Sequence, residues 1–414
     1  MRDNPHIFNG HEIIISGAGP VGLSLAIALC AHGFECLVVS KESVFDQKQG
    51  DFDGRAYTIA AGCWAMWDTF GICEKIQPFA QPIQKVEAEA ASFAPLSFGF
   101  DDGQSEDRPL GYLIEAHSIL SALWEKAQNT KGLSLVTNSQ LSGIKTHADR
   151  VDVSWNGSEG GASARLLVGC DGRESYVRKA AGITFPGHDY KAKGLVATVS
   201  LKQPHNGVAR QIFLKNGPFA VLPLPNNKAS LVWTEREVVA EALTDLSDRD
   251  FELELKEKIG DFLGEFSLLG GRFAYPLKMR VADSFVSDRI ALAGDAAHAI
   301  HPLAGQGLNL GLKDVASLAE TIAKAAHVGL DIGSPLALEP YEEWRRTETI
   351  NMATSMDLLE RMFKAPPIFR GFAGLGMSLV GKSETARSAL IKQASGCDGE
   401  NTPQLFQGRL MQFS

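Results

Sequence analysis

Short apolar runs and longer helical patterns alternate along the chain, and the first three of them lie near its start. Residues 13–15 are consecutive isoleucines, as in a strand that is buried on both faces. From Pro20 onward the chain is apolar nearly all round, which predicts a buried helix that stops at Gly33. The apolar run 36–39 follows directly. Together these patterns predict one β-α-β unit.

The middle of the chain has a different pattern. Apolar runs within residues 194–235 are interrupted at 216–218 and 226–227 by Asn, Gly and Pro, which are turn signals. Antiparallel strands are therefore predicted there, and we expect them to form a roof over a bound ligand. Residues 248–266 have helical spacing, and Asp248 is the expected N-cap.

The last part of the chain predicts helices again. An apolar stripe consists of Met356, Leu359, Met362 and Phe363. Two prolines interrupt it, and residues 368–380 then carry only one charge, on Arg370. These thirteen residues are too few to span a bilayer. The segment is more typical of core or partner-helix packing than of a membrane-surface anchor, but both interpretations stay open.

A glycine motif connects the first strand to the first helix. Gly17, Gly19 and Gly22 have the spacing G-x-G-x-x-G, and Pro20 suits a first helical turn. In this context Gly17 permits a tight turn, Gly19 lets the backbone approach a pyrophosphate, and Gly22 lets the helix pack closely on the strand. The motif predicts dinucleotide binding, with a merely structural turn as the alternative.

The residue expected to hold the ribose of the dinucleotide is unusual. An acid commonly ends the second strand of such a unit, but Ser40 stands here, followed by Lys41 and Glu42. Either Glu42 from a shifted position or Ser40 itself could reach a ribose hydroxyl. We therefore expect modest cofactor affinity.

A second glycine-rich segment lies at residues 289–315. An apolar strand, 290–293, meets Gly294-Asp295, and a turn at 305–307 then leads into a helical pattern. An aspartate at the end of an apolar strand needs hydrogen bonds, which a polyhydroxyl chain supplies. A glycine turn that opens a helix presents N–H groups to developing negative charge.

Three segments together resemble the flavoprotein aromatic hydroxylases of the para-hydroxybenzoate hydroxylase type. They are the Gly17 turn, "LLVGCDGRESYVRKAAGI" (166–183) and "GDAAHAIHPLAGQGLNLGLKDV" (294–315). Within that class, "DFDGRAYTIAAGCWAMWDTFGI" (51–72) and "YEEWRR" (341–346) resemble the ubiquinone-biosynthesis hydroxylase family. The likeness extends over about residues 10–350 and is weakest between 185 and 280.

The resemblance implies specific contacts with flavin adenine dinucleotide (FAD). Asp171 and Gly172 would serve both FAD and the nicotinamide donor, and Asp295 would bond a ribitol hydroxyl. Pro302, Gly305 and Gly307 would lie against the flavin ring as the positioning, catalytic residues. The implied cofactor-binding residues are Gly17, Gly19, Pro20, Gly22, Ser40, Lys41, Arg55, Asp171, Gly172, Gly294, Asp295, Gly305, Gln306, Gly307, Leu308 and Asn309.

The resemblance also implies an α/β fold. We expect a Rossmann-like FAD-binding domain of the glutathione-reductase type, an inserted α+β substrate domain and a helical C-terminal region. The FAD-binding domain would comprise residues 1–75, 103–184 and 281–345. The substrate domain would comprise 76–102 and 185–280, and the helical region 346–414.

The implied reaction is an aromatic hydroxylation that uses O2 and either NADH or NADPH. A second G-x-G-x-x-G is absent from the sequence, which fits transient binding of the donor. The implied substrate is a polyprenylated phenol or benzoquinol of ubiquinone biosynthesis. The alternatives are a small soluble aromatic compound, or a catalytically weak accessory flavoprotein of a quinone-synthesis complex.

Charge and composition limit the classes of partner and the cellular location that we expect. The net charge of −9 argues against a broad nucleic-acid surface. The six cysteines form no Cys-x-x-Cys, and the chain opens with polar residues, so we expect reduced thiols and a cytoplasmic location. A polyprenylated substrate leaves open a peripheral contact with the cytoplasmic membrane face or with a synthesis complex.

Four further polar residues lie close to these motifs. His298 and His301 are three residues apart but have no carboxylate at ligand spacing, so no metal site is predicted. Arg173 and Arg178 flank the Asp-Gly turn, where they either cap a helix or contact the phosphates of the nicotinamide donor.

Overall fold

The computed structural model describes residues 11–42, 54–90, 93–99, 109–157, 160–214, 216–300, 306–364 and 402–412. The α-helices in these residues are α1 (Pro20–Ala31), α2 (Ala61–Thr69), α3 (Cys73–Ile76), α4 (Ala116–Gln128), α5 (Tyr176–Ala180), α6 (Glu237–Asp245), α7 (Asp248–Ile259), α8 (Gln306–His327) and α9 (Pro335–Lys364). The strands are β1 (Ile13–Ser16), β2 (Cys36–Val39), β3 (Ala56–Ala60), β4 (Gln81–Ile83), β5 (Lys85–Ala90), β6 (Phe93–Gly99), β7 (Gly111–Glu115), β8 (Leu133–Val136), β9 (Gln140–Thr146), β10 (Val151–Asn156), β11 (Gly160–Ala164), β12 (Leu166–Gly169), β13 (Gly187–Leu201), β14 (Val208–Leu214), β15 (Gly217–Leu224), β16 (Lys228–Arg236), β17 (Phe266–Val281), β18 (Val286–Ser287), β19 (Ile290–Leu292) and β20 (His298–Ala299).

A six-stranded sheet contains the predicted β-α-β unit. Its order is β18-β19-β12-β1-β2-β8, and the pairs from β19 to β8 are parallel. Strand β1 lies inside it, and its three isoleucines are fully buried. Helix α1 packs against α4 and α8. It ends just before Gly33, whose φ of +91° lies in the left-handed region that favours glycine. The N-terminal prediction is confirmed.

An eight-stranded sheet forms the second layer of the molecule. Its order is β20-β17-β13-β16-β15-β14-β5-β6. Strands β15 and β16 are joined at Asn226 and Asn227, which have φ values of +61° and +55°. Such a pair is typical of a tight hairpin turn. The predicted antiparallel strands are confirmed, and strands from residues 85–99 and 187–281 share this one sheet.

Two predictions about helices need correction. The helix predicted over 248–266 is shorter, because Gly260 has a φ of +57° after Ile259 and β17 then begins at Phe266. Its N-cap is Ser247, whose Oγ accepts a hydrogen bond from the backbone of Asp250 at 3.2 Å. The N-cap is therefore Ser247 and not the predicted Asp248, which is the first helical residue.

Helix α9 crosses one predicted domain boundary. It begins at Pro335 and runs through residues 345 and 346, where the helical C-terminal region is predicted to begin; all the domain boundaries stay predictions. The stripe at 356–363 lies within this helix, while segment 368–380 lies outside the described residues. Among the helices that the structure describes, none is both long and apolar enough to cross a bilayer.

Residues 404–407, near the end of the described chain, pack against α2 and α8. Leu405 and Phe406 are buried, and the backbone N–H of Gln404 donates to Glu320 of α8 at 3.1 Å. A Cβ added to Gly62 of α2 would lie 2.6 Å from the Phe406 ring. This segment therefore holds α2 close to α8.

Candidate active site

The turn between β1 and α1 contains three glycines. At two of them a side chain would clash with the backbone, and at the third there is open space. Gly17 has a φ of +104°, and a Cβ added to it would lie 2.5 Å from the carbonyl oxygen of Cys170. A Cβ on Gly22 would lie 2.0 Å from the oxygen of Gly17. A Cβ on Gly19 would meet no described atom within 4 Å. Beside this open space the helix begins with Pro20 and has no acid in its first turn, so its N–H groups are available to an anion.

Ser40 lies at the end of β2, close to this turn. It is buried, and its Oγ accepts a hydrogen bond from the backbone N–H of Glu42 at 3.2 Å. The Lys41 and Glu42 side chains are exposed and lie 3.6 Å apart. Ser40 is thus placed beside the glycine turn, and its hydroxyl also stabilises the chain that follows.

The Asp-Gly turn after β12 carries a carboxylate with a structural task. Asp171 accepts hydrogen bonds from the Ser175 hydroxyl and from the backbone N–H groups of Tyr176, at 2.7 Å, and Val177, at 3.2 Å. It therefore stabilises the start of α5. Gly172 has a φ of +80°, and a Cβ there would meet nothing among the described residues within 4 Å.

The two arginines beside this turn have different environments. Arg178 is buried; it donates to the carbonyl oxygens of Ala296 at 2.8 Å and Arg173 at 2.7 Å. Burial lowers its pKa from the usual arginine value. Its guanidinium also lies 3.8 Å from the centre of the Phe185 ring. Arg178 thus braces two turns, which corrects both roles considered for it. Arg173 is half-exposed and donates from Nε to Asp295 at 3.0 Å.

The buried acid of the Gly-Asp segment is Asp314, and Asp295 is the exposed one. The Asp295 side chain keeps 43% of its surface exposed, whereas Asp314 on α8 keeps none. Asp314 Oδ2 accepts from the backbone N–H of Gly294 at 2.8 Å and lies 2.7 Å from His298 Nε2. Asp314 Oδ1 accepts from Arg345 Nε at 2.8 Å. Asp295 therefore ends its strand with a half-exposed carboxylate, and its bond to a ribitol hydroxyl stays a prediction.

Charge compensation keeps Asp314 ionised. Burial by itself would raise its pKa, but the neighbouring His298 and Arg345 outweigh burial, and the pKa lies below the usual aspartate value. A carboxyl whose pKa is depressed by folding stabilises the fold above its unfolded-state pKa. That stabilisation is lost as the pH falls through the lower folded-state value.

The segment "YEEWRR" of α9 supplies the other side of this network. The Tyr341 hydroxyl donates to the carbonyl of Leu292 at 2.7 Å, and Glu342 accepts from the backbone N–H groups of Phe285 and Val286. Arg345 also pairs with Glu348, which pairs with Lys313. The role of this segment is thus to hold the strands that lead into the Gly-Asp turn.

The start of α8 meets the turn and β3. A Cβ on Gly307 would have no described neighbour within 4 Å. The Asn309 side chain accepts from the Ala60 N–H at 3.0 Å and donates to the Thr58 carbonyl at 2.7 Å, so it joins α8 to β3. Gln306 and Leu308 lie in the same first turn. Three predicted residues, His301, Pro302 and Gly305, lie outside the described residues.

Arg55 and His298 complete the predicted set. Arg55 is exposed, and its carbonyl accepts from the Ala116 N–H at 3.0 Å. Gly54 before it has a φ of +76°, and a Cβ there would lie 2.7 Å from the Phe273 ring of the eight-stranded sheet. His298 is fully buried beside Asp314, so its role is to fix the turn.

These positions fit FAD. Gly19, Gly172 and Gly307 come from three motifs, and each leaves space among the described residues where a side chain would otherwise stand. The start of α1 offers N–H groups to a pyrophosphate, and the half-exposed Asp295 offers an acceptor to a hydroxyl. The sequence identified these turns, and the quoted segments include Asp314, Tyr341 and Arg345, but it assigned no role to these three residues.

Asp314→Ala is expected to destabilise the protein and to loosen FAD. Removing one partner of a buried ion pair leaves the other charge uncompensated, so the free energy of unfolding should fall by about 3–5 kcal/mol in urea titrations. The deficit should begin to shrink below about pH 4, where the carboxyl of the unfolded wild-type chain takes up a proton, and should vanish below the lower folded-state pKa of Asp314. Asp149→Ala, at an exposed pair, is the control and should change stability by less than about 0.5 kcal/mol. Equal stability of the two variants would contradict the proposed importance of Asp314.

Gly19→Ala is expected to separate folding from cofactor binding. The added methyl group meets open space and a φ of −73°, so the melting temperature of the apoprotein should stay unchanged. FAD binding should weaken by about 1–3 kcal/mol, the range for overpacking a close contact, when apoprotein is titrated with FAD. Gly22→Ala is the comparison, because its methyl group would clash with the backbone and should prevent folding. Wild-type FAD affinity in Gly19→Ala would mean that the pyrophosphate lies elsewhere.

Comparisons with known proteins agree with this geometry. The FAD binding domain family matches residues 11–352. The ubiquinone hydroxylase UbiL of Rhodospirillum rubrum is 34% identical over 402 residues, which cover 96% of this chain and 92% of that protein. The 3-demethoxyubiquinol 3-hydroxylase of Escherichia coli is 30% identical over 392 residues, which cover 93% and 98%.

A solved structure supports the same fold. The p-nitrophenol 4-monooxygenase PnpA of Pseudomonas putida DLL-E4 superposes with a TM-score of 0.77 at 21% identity, over 94% of this chain and 99% of that one. The fold, the predicted FAD cofactor and the predicted enzyme class are confirmed. The chain belongs to the FAD binding domain family and is an FAD-dependent monooxygenase of the para-hydroxybenzoate hydroxylase-like group.

Proposed function

We propose that this monooxygenase hydroxylates the ring of a polyprenylated phenol or benzoquinol in ubiquinone biosynthesis. The observation that carries the proposal is the likeness to proteins named ubiquinone hydroxylase and 3-demethoxyubiquinol 3-hydroxylase, at 34% and 30% identity over more than nine-tenths of the chain. The site supports it, because its FAD-binding turns lie beside an apolar sheet face.

The apolar face belongs to the eight-stranded sheet. Residues paired directly across the strands form a row on one side that is apolar except for Gln211; it consists of Phe273, Val196, Val232, Ala220, Gln211 and Ala88. The row is only half-buried. The neighbouring residues on the opposite side, Leu195, Trp233 and Phe219, are buried in a cluster with α7. Because Gly54 contacts Phe273 and Val196, the half-buried row lies beside the FAD-binding part and suits an apolar substrate.

The protein's own contribution is binding and orientation. We propose that the start of α1 binds the pyrophosphate, that Asp295 accepts a ribitol hydroxyl and that the first turn of α8 faces the flavin. Bound FAD supplies the redox chemistry, in which NADH or NADPH gives two electrons, one oxygen atom of O2 enters the ring and the other leaves as water. The apolar row would hold the substrate and exclude water.

The substrate class can be tested by donor oxidation. A polyprenylated phenol in detergent micelles should stimulate NADH or NADPH oxidation and yield a product with one added oxygen atom by mass spectrometry. The same ring without its chain should stimulate much less, because it gains no apolar contact. Equal stimulation by the short ring would indicate a hydroxylase of small aromatic compounds. Bound FAD without any stimulated oxidation would indicate an accessory flavoprotein.

A substitution in the apolar row sharpens this test. Val232→Thr keeps a β-branched side chain but adds a hydroxyl, so KM for the polyprenylated substrate should rise severalfold while FAD affinity is unchanged. Val238→Thr is the control, since Val238 is 78% exposed on α6.

We further propose that the enzyme meets this substrate at a membrane surface or receives it from a protein partner. A polyprenylated ring partitions into bilayers, and segment 368–380 is the sequence-based candidate for the contact. Replacing Phe369, Phe372 and Leu375 together with serine should abolish cofractionation with membranes while FAD content and melting temperature stay the same. Loss of folding in this variant would instead place the segment in the protein core.

A further inference from the structure

One ion pair between half-exposed side chains links the Asp-Gly turn to the Gly-Asp turn. Arg173 Nε donates to Asp295 Oδ2 at 3.0 Å, and the two side chains keep 50% and 43% of their surface exposed. The pair therefore joins two of the three motifs that fit FAD and is accessible to solvent.

The backbones that carry this pair are fixed by buried groups. The carbonyl of Arg173 accepts from Arg178 at 2.7 Å, and the N–H of Gly294, next to Asp295, donates to Asp314 at 2.8 Å. Both Arg178 and Asp314 are buried. Side-chain rotation can separate the pair without moving either turn.

The carboxylate that Arg173 holds is the one that a ribitol hydroxyl would use. Water solvates both partners of an exposed ion pair and salt screens them, so such a pair is weak and a ligand hydroxyl can replace the guanidinium. The buried pairs of Asp314 offer no such exchange, because separating them would leave charges without compensation.

We propose that Arg173 competes with FAD for Asp295, and that its guanidinium turns away when the ribitol chain is bound. This inference rests on the proposed contact of Asp295 with ribitol. Arg173 then lowers the affinity for FAD and makes the cofactor easier to exchange. Removing the cation should tighten FAD binding, which is the opposite of the effect expected for an ordinary cofactor contact.

Titration of apoprotein with FAD, followed by quenching of flavin fluorescence, tests the competition. Arg173→Gln should lower the Kd for FAD by about two- to fivefold, the range that an exposed pair allows. Lys179→Gln is the matched control; Lys179 is a nearby exposed cation that pairs with Glu174 at 2.8 Å, and its removal should leave the Kd unchanged. The difference in Kd for FAD between wild type and Arg173→Gln should become smaller at high salt, because salt screens the exposed ion pair.

Equal or weaker FAD binding by Arg173→Gln would overturn the proposal, and weaker binding would mean that the guanidinium contacts FAD. Asp295→Ala distinguishes failure of the proposed ribitol contact from failure of the proposed competition by Arg173. Wild-type affinity in Asp295→Ala would remove the ribitol contact itself, whereas weakened Asp295→Ala beside unchanged Arg173→Gln would remove only the competition. Arg173→Met, which keeps an uncharged stem, repeats the titration if the glutamine variant does not fold.

Discussion

The buried carboxylate of Asp314 is the constraint on which the site depends. Its two oxygens are bound by the backbone of Gly294, by His298 and by Arg345, all within 2.8 Å. A buried charge tolerates the loss of a partner poorly, so these segments have to keep their positions relative to α8. Val21 of α1 packs against Gly294 and Gly311, with distances of 3.0 and 2.7 Å to the Cβ positions that these glycines lack. Asp314 fixes Gly294, and Gly294 packs against Val21, so Asp314 also helps to fix the turn at the start of α1.

Charged residues near the site divide into those that hold the frame and those that face solvent. Asp314 and Arg178 are buried and bind backbone groups. Asp295 and Arg173 are half-exposed and bind each other. A buried charge with satisfied partners fixes geometry, whereas an exposed charge stays available to a ligand. The proposed exchange of partners at the exposed pair would leave both turns in place, because Asp314 and Arg178 each hold the backbone of one turn.

The sequence was sufficient to predict the turns, because the requirements on a glycine are local. Gly17 has a positive φ and Gly22 packs on the Gly17 oxygen five residues earlier, so their spacing records the turn, although Gly17 also packs against Cys170 from a distant part of the chain. Asp314 and Arg345 lie 31 residues apart and are brought together only by the packing of α8 on α9. In the sequence, single charged residues within a helix are expected to lie on its solvent-exposed face, so their charges did not indicate that these two are buried. One signal was present, since Asp314 lies in a stretch of α8 whose apolar residues include Leu312, Val315 and Ala316.

Asp314 also connects the Gly-Asp turn to the eight-stranded sheet. His298, which lies 2.7 Å from Asp314, is the first residue of β20, and β20 pairs with β17 at Val281 and Arg280. Strand β17 continues to Phe273 in the half-buried apolar row. A single buried group thus fixes the Gly-Asp turn and one edge of the eight-stranded sheet together. Because positioning is the main contribution that a protein makes to flavin chemistry, we expect this network to fix the proposed cofactor turn relative to the proposed substrate face.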